Sequence, residues 1–277
     1  MAMSTALRHS VQERQGPART GSIPTPYFGN TTLRVSVVIP TLNEAENLPH
    51  VLPRIPSWVH EVVLVDGRST DATVAVARQL RPDIRVVMQA GRGKGLALRT
   101  GFVAATGDII VMLDADGSTD PAEIPAFVDA LVKGADFAKG SRFLPGGGTA
   151  DMELYRKLGN WGLMFTVRLL FGGRYSDLCY GYNAFWAHVL PRLKLDADGF
   201  EIETMMNVRA LREGLKVSEV PSFEAERVHG TSNLRTFPDG WRVLKTIVRE
   251  WLRPSAKSAN VRALDADRSW EPVPVQP

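Results

Sequence analysis

Cysteine is almost missing from this 277-residue chain, Cys179 being the only one. That excludes an intramolecular disulfide framework and a cysteine-based metal site. It fits a reducing compartment or indifference to redox state, and Cys179 itself is expected in the core as a small apolar side chain. Long apolar runs are missing too: no stretch approaches the roughly 18 consecutive apolar residues a bilayer-crossing helix needs. The first 30 residues hold no apolar h-region and are rich in Ser, Thr, Gly, Pro and Arg, which excludes a secretory signal. A strong excess of one charge is also lacking, since 33 Lys and Arg stand against 30 Asp and Glu. The small surplus sits in an arm, where Arg8, Arg14, Arg19 and Arg34 face Glu13, and the rest of the chain is close to neutral. No dense basic stripe with interleaved aromatics exists, so nucleic acid is not the expected partner.

What is present is an ordinary globular composition, 44% hydrophobic and 23% charged, enough for one well-buried domain. Residues 1–32 and 255–277 read as disordered arms around a core at 33–235 and an amphipathic helix at 236–254. From Arg34 on, continuous apolar runs of strand length (Val35 to Ile39, Val62 to Val65, Ile84 to Met88, Ile109 to Leu113) alternate with helical spacing over Ala45 to Leu52, Asp71 to Leu80 and Leu96 to Ala105. That order predicts an α/β fold, a mostly parallel sheet with helices on both faces. Further on, a helix over Pro121 to Lys133 is expected with Asp120 as its N-cap, a strand over Asp136 to Lys139 and a flexible Gly146-Gly147-Gly148 loop. A long apolar helix over 151–171, a strand-like run Tyr180 to Trp186, a helix Glu201 to Glu213 and a strand Val217 to Val220 follow.

The acidic residues cluster after strands. Asp66 follows the second, Asp114 and Asp116 the fourth, and Asn43 with Glu44 the first, at the carboxyl ends where open parallel sheets bind ligands. Two carboxylates one residue apart, as in Asp114-Ala115-Asp116, can share one hard divalent cation whose other ligands are waters and a diphosphate. Asp66-Gly67-Arg68-Ser69-Thr70-Asp71 opens a helix with a tight turn, and turn chemistry accounts for each of its residues except Asp66, placed to grip a base or ribose. Gly91-Arg92-Gly93-Lys94-Gly95 would let backbone amides and two cations approach phosphate, although it lacks the spacing of a P-loop. Judged singly, Arg142, Arg156 and Arg227 read as surface residues.

Together these segments carry a resemblance. Val37-Val38-Ile39-Pro40-Thr41-Leu42-Asn43-Glu44-Ala45-Glu46-Asn47, Val65 to Asp71, Gly93-Lys94-Gly95, Ala105-Thr106-Gly107-Asp108 and Asp114-Ala115-Asp116 resemble the inverting family-2 glycosyltransferases of GT-A fold. Gly140-Ser141-Arg142, Arg156-Lys157-Leu158, Ser176-Asp177-Leu178 and Arg227 to Leu234 are similar to the dolichol-phosphate (polyprenyl-phosphate) mannose synthase branch. The resemblance implies that Pro40, Asn43, Glu44 and Asp66 hold the nucleoside and that Lys94 belongs to the donor site. Asp114 and Asp116 would serve Mg²⁺ or Mn²⁺ and the diphosphate, with Ser118 as a further metal ligand. Arg142, Arg156 and Arg227 would neutralise donor and acceptor phosphates. The sequence departs from the branch at Gly67, where a second Asp is usual, and at Asn233, where a lysine is common; many members also continue into transmembrane helices.

The implied reaction moves a hexose from a GDP- or UDP-sugar to a polyprenyl phosphate with inversion. An anionic phosphate acceptor needs no general base, whereas a hydroxyl acceptor would want one, for which Glu201 and Glu203 are the candidates. Two other readings stand beside it: a soluble glycosyltransferase acting on a hydroxyl of a metabolite or polysaccharide, and a non-catalytic sugar-nucleotide-binding subunit. The expected location is the cytoplasm, at the cytoplasmic membrane face, reached through a membrane-embedded partner subunit or through Trp241 to Arg253. There Trp241, Leu244, Ile247, Val248, Trp251 and Leu252 share a helical face opposite Arg242, Lys245, Arg249 and Arg253.

Overall fold

The computed structural model describes residues 27–28, 31–150, 152–231 and 235–254. The expected arms therefore lie outside the described residues, apart from Tyr27–Phe28 and Thr31–Thr32, which pair as a short antiparallel ladder. The core is a seven-stranded sheet built from β1 (Val35–Thr41), β2 (Glu61–Asp66), β3 (Arg85–Met88), β4 (Ile109–Met112), β5 (Phe137–Ser141), β6 (Asn183–Trp186) and β7 (Val217–Pro221). Its spatial order is β7-β5-β6-β4-β1-β2-β3.

Successive β1 side chains point to opposite faces, so the sheet divides two cores. Val35, Val37 and Ile39 pack with the helices α1 (Leu48–Val51), α2 (Thr73–Leu80) and α4 (Ile124–Val132), whereas Val38 packs with α3 (Lys94–Ala104) and α6 (Ile202–Arg212). Burial on both faces is why these strands read as unbroken apolar runs. A third, smaller cluster joins α6 to α5 (Leu154–Phe171) and α7 (Thr236–Leu252) through Val167, Val208, Val243 and Ile247.

The sheet is mostly parallel as expected, its one reversed strand being β6, antiparallel to both β4 and β5. Two expectations are corrected. Only Asn183–Trp186 of the run Tyr180 to Trp186 is strand, Tyr180 and Tyr182 being buried residues of the segment that leads into it. The helix expected over Ala45 to Leu52 shrinks to one turn, α1, followed by a 3-10 turn Leu52–Arg54. Pro49 suits the first turn of α1, but Pro53 lacks the N–H that a continuing helix needs. Asp120 does cap its helix, accepting the Ala122 N–H at 2.8 Å, although that first turn, Pro121–Glu123, is 3-10.

Candidate active site

β1 is longer than β4, which pairs with it only as far as Val38, so Pro40 lies where one neighbour has already ended. Beyond it the chain turns sharply at Asn43, in the left-handed region at φ 57°. Asn43 accepts the Thr70 N–H on Oδ1 at 2.8 Å, and its own N–H donates to Ser69 Oγ at 2.9 Å. The exits of β1 and β2 are thereby stapled together. Asp66 ends β2 and is buried; its Oδ2 accepts the N–H groups of Arg68 and Ser69 at 3.0 Å. Its Oδ1 is buried without a hydrogen-bond partner, the kind of orphan a buried polar group seldom leaves unless a ligand or water completes it.

Asp114 and Asp116 leave β4 as expected, and each meets a cation. Lys94 Nζ lies 2.8 Å from Asp114 Oδ1 and 3.0 Å from its Oδ2, and 2.9 Å from Glu203 Oε1. Burial alone would depress the Lys94 ammonium, but the two carboxylates outweigh it and hold it above its ordinary range. Asp116 Oδ1 accepts from the Ser118 hydroxyl at 2.7 Å and from its N–H at 3.0 Å. Its Oδ2 lies 3.3 Å from an Arg227 amine, and the other amine of that guanidinium donates to both oxygens of Glu44 at 3.0 Å. Pro40, Asn43, Glu44, Asp66, Lys94, Asp114, Asp116, Ser118 and Arg227 thus gather on one edge of the sheet.

A segment that composition gave no hint of locks this edge. The Val228 N–H donates to the Asp116 carbonyl at 3.1 Å and the Ala225 N–H to the Ser118 carbonyl at 2.8 Å. Asn47 clamps the same segment, accepting the His229 N–H at 2.9 Å and donating to the His229 carbonyl at 3.2 Å. The remainder of that motif, Ser232, Asn233 and Leu234, lies outside the described residues.

One expected cation sits differently. Arg142 is not on an open rim but buried, its Nε and one amine bidentate on Asp177 at 2.6 and 2.9 Å and its other amine on Glu224 Oε2 at 2.9 Å. Burial would raise the Asp177 carboxyl, but Arg142 outweighs it and holds the group below the usual carboxylate range. Arg156, in the first turns of α5, has no hydrogen-bond or ion-pair partner among the described side chains. The glycines beside Lys94 also serve a purpose other than a phosphate cradle. A Cβ on Gly95 would lie 2.5 Å from the Ala197 carbonyl, and the Gly95 N–H already donates to the Asp198 carbonyl at 2.9 Å. They let α3 press against the segment before α6. Cys179, expected in the core, is exposed. Glu203 enters the acidic cluster, while Glu201 turns back to accept the Gly199 N–H at 3.2 Å.

Among the described residues no group of three or more His, Cys, Asp or Glu side chains could hold a metal ion by itself. The oxygen donors Asp114, Asp116 and Ser118 suit a hard divalent ion whose remaining ligands arrive with a diphosphate.

The family model for glycosyl transferase family 2 matches residues 36–190. The dolichol-phosphate mannosyltransferase of Pyrococcus furiosus is 34% identical over 212 residues, 73% of this chain and 60% of the relative, so this chain spans under two thirds of that protein's length. The polyprenol monophosphomannose synthase of Mycolicibacterium smegmatis is 34% identical over 233 residues, covering 79% of this chain and 88% of the relative. In fold, the chain resembles glucosyl-3-phosphoglycerate synthase from Mycobacterium tuberculosis, solved with Mn²⁺, uridine diphosphate and glucosyl-3-phosphoglycerate, at TM-score 0.63 and 23% identity over 81% of this chain and 82% of that one. The sheet with its helices is that GT-A architecture. A family model matched along residues 36–190 of 277, with relatives at a third identity over most of the sequence, leaves one assignment: the chain belongs to glycosyl transferase family 2 and is a glycosyltransferase.

Proposed function

We propose that the protein transfers a hexose from a nucleoside-diphosphate sugar to a polyprenyl phosphate at a membrane surface, with inversion. The observation that carries this reading is the pairing of an acidic strand end with a cation ready for phosphate: Asp114 and Asp116 beside Arg227, 3.3 Å from Asp116. Asp114, Asp116 and Ser118 would hold Mg²⁺ or Mn²⁺, which when bound supplies the positive charge that a departing diphosphate requires. Arg227, between Glu44 and Asp116, would add a second positive charge for a phosphate. Asp66 keeps Oδ1 for an N–H or hydroxyl of the nucleoside.

A phosphate acceptor is favoured over a hydroxyl by the state of the candidate bases. Glu203 is held by Lys94, and Glu201 gives one oxygen to the Gly199 N–H while its Oε2 is buried without a hydrogen-bond partner; a phosphate monoester attacks without either. Among the described residues no side chain pairs with the Arg156 guanidinium at the start of α5, which suits it to meet that anion. Relatives named for dolichol-phosphate and polyprenol substrates support the same choice. No helix among the described residues is long and apolar enough to cross a membrane, so contact with a lipid acceptor falls to the surface. There α5 exposes Leu154, Leu158, Trp161, Phe165 and Leu169 along one stripe, and α7, packed beside it, exposes Phe237, Trp241, Trp251 and Leu252. Apolar area of this extent flanked by Lys and Arg fits an interfacial surface. The expected α7 face is split in the process: Ile247 turns to the core, beside Val243, while Trp241 and Trp251 face out.

A panel of GDP- and UDP-hexoses with Mn²⁺, read as nucleotide release with and without a polyprenyl phosphate, tests the reading. Release that requires the lipid phosphate supports it. Equal release onto a water-soluble hydroxyl acceptor overturns it in favour of a soluble transferase.

A further inference from the structure

The cluster of Lys94, Asp114 and Glu203 joins three charges whose role the reaction leaves unexplained. Three distant parts of the chain build it: Lys94 opens α3, Asp114 follows β4 and Glu203 lies in the first turn of α6. Three carboxylate oxygens surround the ammonium nitrogen, two on Asp114 at 2.8 and 3.0 Å and one on Glu203 at 2.9 Å. Gly181 closes the cluster. A Cβ there would stand 3.1 Å from both Asp114 Oδ2 and Lys94 Nζ and 3.3 Å from Glu203 Oε1, so a larger side chain would push the charges apart. Glu203 is buried and Asp114 is partly open: one carboxylate faces the interior and the other the ligand edge.

With two carboxylates and one ammonium the cluster keeps one net negative charge, and Asp114 is the member positioned to present it. We infer that Glu203 is a positioning residue: by holding the Lys94 ammonium from the interior side it leaves the cluster one net negative charge, which Asp114 presents to the metal and diphosphate. Lys94 is then the fixed end of a strut rather than a phosphate contact. Without Glu203 the whole ammonium would rest on Asp114 and cancel it. This inference rests on the donor and metal reading above.

The test measures Mn²⁺ affinity by the resonance signal of free Mn²⁺, on the full chain with saturating UDP or GDP, whichever the wild type binds more tightly. Glu203→Gln keeps the shape and an oxygen acceptor for Lys94 while removing the charge. It is expected to weaken Mn²⁺ binding at least about tenfold, as loss of a unit charge within one side chain of the ion does in a partly screened site. Lys94→Met combined with Glu203→Gln restores one net negative charge on Asp114, and should regain affinity to within about threefold of wild type. Purely structural roles would instead make the double variant the weaker of the two. The inference is overturned if Glu203→Gln binds Mn²⁺ as the wild type does, if it fails to fold, or if the double variant recovers nothing. A wild type that binds Mn²⁺ with neither nucleotide overturns the donor reading and this inference together; a wild type that binds, with an unaffected Glu203→Gln, overturns this inference alone.

Discussion

Asp116 is engaged through both oxygens, by Ser118 and by Arg227, and it is the carboxylate most central to the strand-end edge. Asp116→Ala is expected to abolish transfer, since the leaving diphosphate would lose its metal partner; nucleotide release at saturating donor and Mn²⁺ measures it. Asp66 acts on the nucleoside, which is held equally in ground and transition states, so Asp66→Ala should raise the donor KM about tenfold or more with kcat little changed. A fall in kcat at constant KM would move Asp66 into the chemistry. Arg142 belongs to a different category, because its three donor nitrogens are spent on Asp177 and Glu224. Removing one partner of a buried pair strands the other, so Arg142→Ala should cost about 3–5 kcal/mol of stability, read from urea unfolding.

At the scale of elements, the strands β1, β2 and β4 were legible because residues buried on both faces must be apolar throughout. The acids that follow them were legible because such positions meet at one edge. Direction was not: the apolar aromatic run before Trp186 fits a parallel or an antiparallel strand, and only pairing with β4 and β5 decides it. The partners of Lys94, Arg142 and Asn47 were equally hidden, each contact joining residues 20 to 182 positions apart. Amphipathic spacing did reveal α7, yet it could not tell which of its apolar residues a neighbouring helix would cover. The exposed stripe on α5 yields the clearest expectation at this scale. Vesicles containing anionic lipid should sediment the wild type, and Trp161→Glu with Trp251→Glu should abolish that sedimentation while leaving the folded core intact by circular dichroism. Unchanged sedimentation would show that these helices do not meet the lipid.

For the molecule as a whole, acid stability follows from its ion pairs. Asp177 is held below its unfolded value, burial being outweighed by Arg142, and the more exposed Asp108 and Asp196 are held low by Arg34 and Arg209. A carboxyl whose folded value is depressed contributes stability that is fully present above its unfolded value, near ~3.9 for Asp, and lost as pH falls through the folded value. Burial raises Glu44, Glu123 and Glu203 instead, and their opposing effect acts at higher pH. Urea midpoints should therefore change little from about pH 7 to 5 and drop steeply below about pH 4; a midpoint that rises on acidification would contradict this.

The reversed strand has one more consequence. Every parallel strand delivers its residues to the ligand edge as it ends, whereas β6 collects them before it begins, so Ser176 to Tyr182 reach that edge from the opposite direction along the chain. The stretch between Phe171 and Asn183 is pinned there from within, Asp177 by Arg142 and Gly181 by its closeness to Asp114 and Lys94. A fold wired in this way ties the entrance of one strand to the exits of the others, so a change in that stretch is felt at the ligand edge before it is felt in the sheet.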